Sequence, residues 1–183
     1  MSYLNFTKQH IFNAFDELLS EIPFDKITVQ MIIDRSGVSK STFYRHFKDK
    51  YDVLNFNSLA LGEHLIGQCV CHDWHEFLLK MFQAIARDAK YYRRAFRTSG
   101  QNAHSGFLYN YSFSIVEKCY LHKMQRNELT AQEHFIISLY CYGCVGVLQD
   151  WLNHPDSLTP EEMADICYDA MPEQCKDSWI VEG

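Results

Sequence analysis

The sequence predicts an all-α fold, with a three-helix head that carries a helix-turn-helix and a larger helical body behind it. Three observations lead there. Apolar residues recur at helical spacing along most of the 183 residues. Helix starts and stops are marked by cap residues, and no stretch alternates apolar and polar as a half-buried strand would. With 47% hydrophobic residues, four prolines and eight glycines, the chain can bury a substantial core and leaves little room for disorder.

The head comes first, over residues 1–50. Ile11, Phe15, Leu18, Leu19 and Ile22 lie on one helical face, and Pro23 ends that helix. Thr28 is a good N-cap for VQMIIDR, and Gly37 is its stop, since glycine takes the left-handed conformation without steric cost. Ser39 caps a second helix almost at once, with Val38 and Phe43 placed as a hydrophobic staple. On that helix Phe43 and Phe47 share one side. Ser41, Arg45 and Lys48 fall opposite, flanked by Thr42 and Tyr44. Arg35 to Lys50 holds five Lys/Arg against one Asp in a chain of net charge −6, a local concentration of the kind phosphate binding needs.

The run TVQMIIDRSGVSKSTFYRHFKDKYDVL resembles the DNA-binding signature of the tetracycline-repressor (TetR) family of bacterial transcription regulators. The resemblance is specific over about the first 55 residues and architectural beyond them. TSGQNA at Thr98 to Ala103 is similar to a segment in a subgroup that includes regulators of dihydroxyacetone kinase genes. Side-chain chemistry and the resemblance together assign Thr28, Tyr44, His46 and Lys50 to phosphate contacts on double-stranded DNA. Lys40, Ser41, Thr42 and Arg45 are placed for base edges, beside the cap Ser39; Arg45 suits the two acceptors of a guanine. Family members often have glycine where this chain has Ser41, which leaves the role of that serine open.

The body is expected over residues 51–183. Asp49 caps its first helix, with Leu54, Leu61 and Leu65 on the buried side, and a break follows around Gly67 to His72. Asp73 with Glu76 starts a helix striped by Phe77, Leu78, Met81, Phe82, Ile85 and Ala89. Lys90 to Arg97 reads as a solvated basic face with its aromatics turned inward, rather than a second nucleic-acid patch. A helix over Phe107 to Met124 is marked by Leu108, Tyr111, Ile115 and Cys119. Thr130 and Glu133 form a capping box for HFIISLYCYGCVGVLQDWL, a helix apolar nearly all round that must be covered on every side. Thr159, Pro160, Glu161 and Glu162 open a last helix striped by Met163, Ile166, Cys167, Ala170 and Met171.

Those last two helices suggest a homodimer built as a four-helix interface, with Gly143, Gly146, Val147, Met163, Ile166, Cys167 and Ala170 as its candidate residues. The resemblance implies a palindromic operator and a body holding an unidentified small-molecule effector, for which Gln101, Asn102, Tyr109 and Tyr140 are candidate polar contacts. Other classes have little support. Seven irregularly spaced cysteines suit reduced thiols better than disulfides, and Cys141-x-x-Cys144 and the group Cys69, Cys71, His72 and His75 suit buried thiols better than a metal or redox site. No cofactor is expected, and no nucleophile elbow, phosphate-binding glycine loop or H-E-x-x-H suggests an enzyme. With no signal-peptide core and no stretch near ~20 uncharged apolar residues, a cytoplasmic protein without a membrane partner is expected.

Overall fold

The computed structural model describes residues 3–67, 71–99 and 103–179, all helix and connection with no strand among them. In the head, α1 (Tyr3–Glu21) buries Ile11, Phe15, Leu18 and Leu19, and a 3-10 turn (Phe24–Lys26) leads into α2 (Val29–Ser36). α3 (Lys40–His46) follows after three residues. The turn between them needs its glycine for conformation alone. Gly37 sits at φ 68°, and its N–H donates to the Ile33 carbonyl at 2.8 Å. Phe43 and Phe47 drop into the core behind α3.

α4 (Lys50–Gly67) starts on Asp49, whose carboxylate accepts from the N–H groups of Tyr51 and Asp52 at 2.8 and 3.0 Å. It packs against α1 at one end and against α5 (Trp74–Arg87) and α7 (His104–Met124) at the other. The body is two helix pairs: α9 (Pro160–Asp169) lies along α5, and α8 (Ala131–Asn153) lies along α7. α6 (Ala89–Phe96) wedges between α1 and α8, and α10 (Glu173–Lys176) closes against α7. One continuous buried cluster runs from Ile11 to Cys175.

The expected caps form. Asp73 accepts from the Glu76 N–H at 2.7 Å, and complete capping boxes stand at Thr130/Glu133 and Thr159/Glu162. Bonds from Thr130, Tyr120 and Arg126 pull the Glu133 carboxyl down to about 2, so one carboxylate ties the end of α7 to the start of α8. In the basic stretch Lys90 and Arg97 are exposed, while the aromatics turn inward and two arginines are tied into the fold. Tyr91, Tyr92 and Ala95 are buried, Arg94 pairs with Asp16 of α1 at 2.7 Å, and Arg93 donates to the Leu152 carbonyl at 3.2 Å.

Two features differ from expectation, the start of α7 and the apolar length of α8. α7 begins at His104 rather than Phe107, because the Thr98 hydroxyl accepts from the His104 N–H at 3.3 Å. Trp179 is docked, edge-on to Trp74 at 4.8 Å and donating to the Cys71 carbonyl at 3.1 Å. By length and hydropathy alone α8 would suffice to cross a membrane, closer to a span than the sequence suggests. Its inner side instead packs on α7 and α6, while Phe135, Leu139, Tyr142 and Val147 face outward.

Where head meets body, the His104 ring is completely buried, hydrogen-bonded through Nδ1 to the Asn55 side chain of α4 at 2.8 Å and through Nε2 to nothing. Burial lowers its pKa to about 4 from 6.5. Below pH 6.5 the unfolded chain takes a proton there while the folded chain does not until about pH 4, so stability falls as pH drops through that window, by on the order of 3 kcal/mol. Urea unfolding of the parent and of His104→Gln should show the parent losing more stability between pH 7.5 and 4.5. A difference that stays constant with pH would remove His104 as the cause.

Candidate nucleic-acid interface

Two hydroxyls set the geometry of the head's outer surface. Thr28 caps α2 by accepting from the Met31 N–H at 3.2 Å, and Ser39 caps α3 by accepting from the Thr42 N–H at 3.1 Å. The Ser39 hydroxyl also meets those of Ser41 and Thr42 at 2.9 and 2.8 Å, a knot of three at the start of α3. Lys40, Ser41, Tyr44 and Arg45 are exposed, and Thr42 and His46 are half-buried. Tyr44 is 51% exposed while its ring meets the buried Phe43 edge-on at 5.3 Å, so the phenol is braced yet presented.

The five cations of this stretch divide into two kinds. Arg35 points back to α1, bidentate on Glu21 at 2.9 and 2.8 Å and reaching Glu17 at 3.3 Å. That bond to Glu21 raises the guanidinium's pKa and lowers the Glu21 carboxyl. Lys50 reaches across the head. Its ammonium donates to the Phe24 and Ile27 carbonyls at 3.0 and 2.9 Å and lies 4.3 Å over the Phe24 ring. It ties the start of α4 to the 3-10 turn and the residue after it, with one N–H left for a phosphate. Lys40, Arg45 and Lys48 remain exposed on the α3 side. Lys48 belongs with the candidate contacts, and its position opposite Phe43 and Phe47 was the signal for it.

A second candidate site is a cavity of about 110 Å³ between the α5/α9 and α7/α8 pairs, walled also by α4. Its lining is almost wholly apolar or aromatic and includes Leu65, Trp74, Phe77, Tyr111, Tyr140 and Cys144. Tyr111 lies so close over α4 that a Cβ on Gly62 would stand 2.3 Å from its hydroxyl oxygen; glycine is needed there for close approach. Burial pushes Tyr111 up to about 12, so it stays a neutral donor. Of the candidate ligand contacts, Tyr140 lines this cavity. Tyr109 does not: it bonds Ser138 at 3.1 Å and stacks on the exposed Tyr142 at 3.7 Å. Gln101 and Asn102 lie outside the described residues. The cavity is a tertiary product of six helices, which no local pattern announces.

Ring contacts connect the two sites. Tyr92 lines the cavity and touches Tyr91 at 5.3 Å. From Tyr91 the series runs through Phe12 at 5.2 Å, Phe56 at 5.8 Å and Phe47 at 5.7 Å to Phe43 of α3 at 6.0 Å.

The candidate dimer residues also divide. Gly143, Gly146, Val147, Ile166 and Ala170 are exposed, and a Cβ on either glycine would meet nothing within 4 Å. Met163 and Cys167 are corrected: both are 2% exposed, on the inner side of α9, which lies along α5, and offer no surface to a second subunit. Phe135, Leu139 and Tyr142, at 71, 77 and 61% exposure, complete the outer stripe of α8 with the two glycines.

Lys50→Ala removes the ammonium from the Ile27 carbonyl and leaves the Phe24 carbonyl with the Ile27 N–H alone, and should lower the stability of the protein by about 1–3 kcal/mol. Lys48→Ala should leave stability unchanged. Equal melting temperatures for parent and Lys50→Ala would show that the carbonyl bonds contribute nothing.

Comparison with known proteins agrees with this geometry. Residues 8–55 match the family model described as bacterial regulatory proteins, tetR family, and residues 72–173 match one described as transcriptional regulator C-terminal region. No curated protein matches the chain. Among solved structures, the fold is similar to the dihydroxyacetone kinase operon activator DhaS (TM-score 0.62, 16% identity, 93% of this chain and 96% of that one). It is also similar to a TetR transcriptional regulator from Streptococcus agalactiae 2603V (TM-score 0.60, 23% identity, 90% and 92%). A third, from Syntrophomonas wolfei str. Goettingen, is described as a putative TetR-family transcriptional regulator (TM-score 0.55, 18% identity, 89% and 91%). With family models covering both the capped two-helix reader and the helical body behind it, the chain belongs to the TetR family of bacterial transcriptional regulators.

Proposed function

We propose that the protein works as a cytoplasmic homodimeric repressor that grips a palindromic operator through α3 and lets go when a small apolar molecule fills the body's cavity. The observation that carries this reading is the outer side of the head. Behind it Ser39 caps the helix, Arg35 pairs with Glu21, Lys50 holds backbone carbonyls and Phe43 and Phe47 fill the core, while Lys40, Ser41, Tyr44, Arg45 and Lys48 stand exposed. A face fixed from behind and free in front suits a rigid partner with a regular charge pattern. The division of labour is residues 1–50 for DNA and 51–183 for pairing and ligand. Thr28, Tyr44, His46 and Lys48 take phosphates, with Lys50 in support; Lys40, Ser41, Thr42 and Arg45 read bases. This reading includes no catalytic step, cofactor, metal or membrane.

The exposed stripe of α8 with Ile166 and Ala170 of α9 supports pairing with a second copy. Two glycines there let backbones approach, and no charge interrupts the stripe from Phe135 to Val147. Two heads on a two-fold axis call for half-sites about one helical turn apart, ~34–36 Å, or a multiple. Leu139→Glu places a carboxylate in that interface, where an unpaired charge costs several kcal/mol. Sedimentation should give a dimer for the parent and a monomer for the variant at micromolar concentration. A monomeric parent would end the proposal of a dimer.

Arg45 lies opposite the Phe43 and Phe47 anchor and reaches deepest into the major groove. If it pairs with a guanine, Arg45→Ala should cost ~1–3 kcal/mol per half-site and relax preference at one base-pair position. Site selection from random DNA with both proteins checks this. Identical preferences would assign Arg45 to the backbone, and no binding by the parent would leave a regulator that acts without touching DNA.

A further inference from the structure

The body's cavity carries a nucleophile that the DNA-binding reading does not use. Of the six described cysteines, Cys71, Cys119, Cys141, Cys167 and Cys175 are buried, and Cys144 alone is partly open. Cys144 also lines the cavity, beside Tyr140 and Cys167. α8 thus presents a reachable thiol at the wall of an apolar chamber, and a chamber of this kind favours small apolar molecules over charged ones.

We infer that Cys144 is a covalent acceptor site for small apolar Michael acceptors, the α,β-unsaturated aldehydes and ketones, admitted to this cavity. The inference rests on reading the cavity as the effector pocket and gives that effector a chemical class.

The surroundings suit the reaction. A hydrogen bond with Cys167 holds the Cys144 thiol below the usual thiol range, which favours the nucleophilic thiolate, while the Tyr140 hydroxyl beside it donates to the Cys167 carbonyl at 3.0 Å. Burial pushes Cys141 up to about 12 and Cys175 to about 11, leaving both inert. Tyr140 and Cys167 are pushed up as well, Tyr140 by burial and Cys167 by its bond to Cys144, so both stay protonated beside the sulfur. In the addition, the Cys144 S–H bond breaks and a bond forms from Sγ to the β-carbon of the electrophile. The C=C π pair shifts toward the carbonyl as an enolate, which takes the thiol's proton at its α-carbon. Atoms and electrons balance with no oxidant.

The test uses the full chain, parent and Cys144→Ser, treated with stoichiometric methyl vinyl ketone and followed by intact-mass and peptide mass spectrometry. Circular dichroism on the variant confirms that it folds. The expected result is a gain of one probe mass on the Cys144 peptide of the parent and its loss in the variant. Modification spread over the other cysteines, no adduct, or a loss of two hydrogens signalling a disulfide would overturn the inference. The same adduct is then titrated against operator DNA. An adduct that forms but leaves DNA affinity unchanged supports the covalent site and refutes the effector pocket, so the two readings fail separately.

Discussion

The rest of the structure depends on α4 being buried along its length by two different sets of partners. Its first turns belong to the head, where Val53 and Leu54 are fully buried and Phe56 packs with Phe12 and Phe47. Its last turns wall the cavity through Leu61 and Leu65. Between them the Tyr91 hydroxyl donates to the Leu54 carbonyl, Asn55 meets His104, and Asn57 donates to Asp88 at 3.1 Å. A helix held this way is a continuous packed connection between the head and the cavity wall.

The buried polar groups at this joint favour one arrangement over sliding alternatives. The orphaned Nε2 of His104 leaves hydrogen-bonding capacity unused within the core among the described residues. The Tyr91 hydroxyl and the Arg94–Asp16 pair, by contrast, have partners that exist only while α6 sits against α1 and α4. Apolar packing would tolerate small shifts of α6. These directional bonds do not.

Much of the fold was legible in the sequence because it is written locally. Thr28, Ser39, Asp73, Thr130 and Thr159 announce helix starts through groups within three residues of themselves. The exposed face of α3 was readable for the same reason, since one helix and its periodicity place Ser41, Arg45 and Tyr44. What escaped depends on distant partners. Nothing beside Lys50 says that its ammonium will find two carbonyls more than twenty residues back. Nothing beside Cys167 says that this position of an evenly apolar stripe turns inward while Ile166, its neighbour, turns out. The cavity escaped for that reason too, being the space left where six helices fail to meet.

The inward turn of Arg35 and Lys50 has a consequence for how the molecule travels. It leaves Lys40, Arg45 and Lys48 as a small positive tip on a chain of net charge −6. In the field of a polyanion such an object is pulled by one end and pushed by the rest. It would turn tip-first before touching, and encounters that begin body-first would be repelled. Added salt shortens the reach of both forces together. Speed of arrival would therefore depend on ionic strength less than the tip alone suggests, and salt would act chiefly on how long the molecule stays.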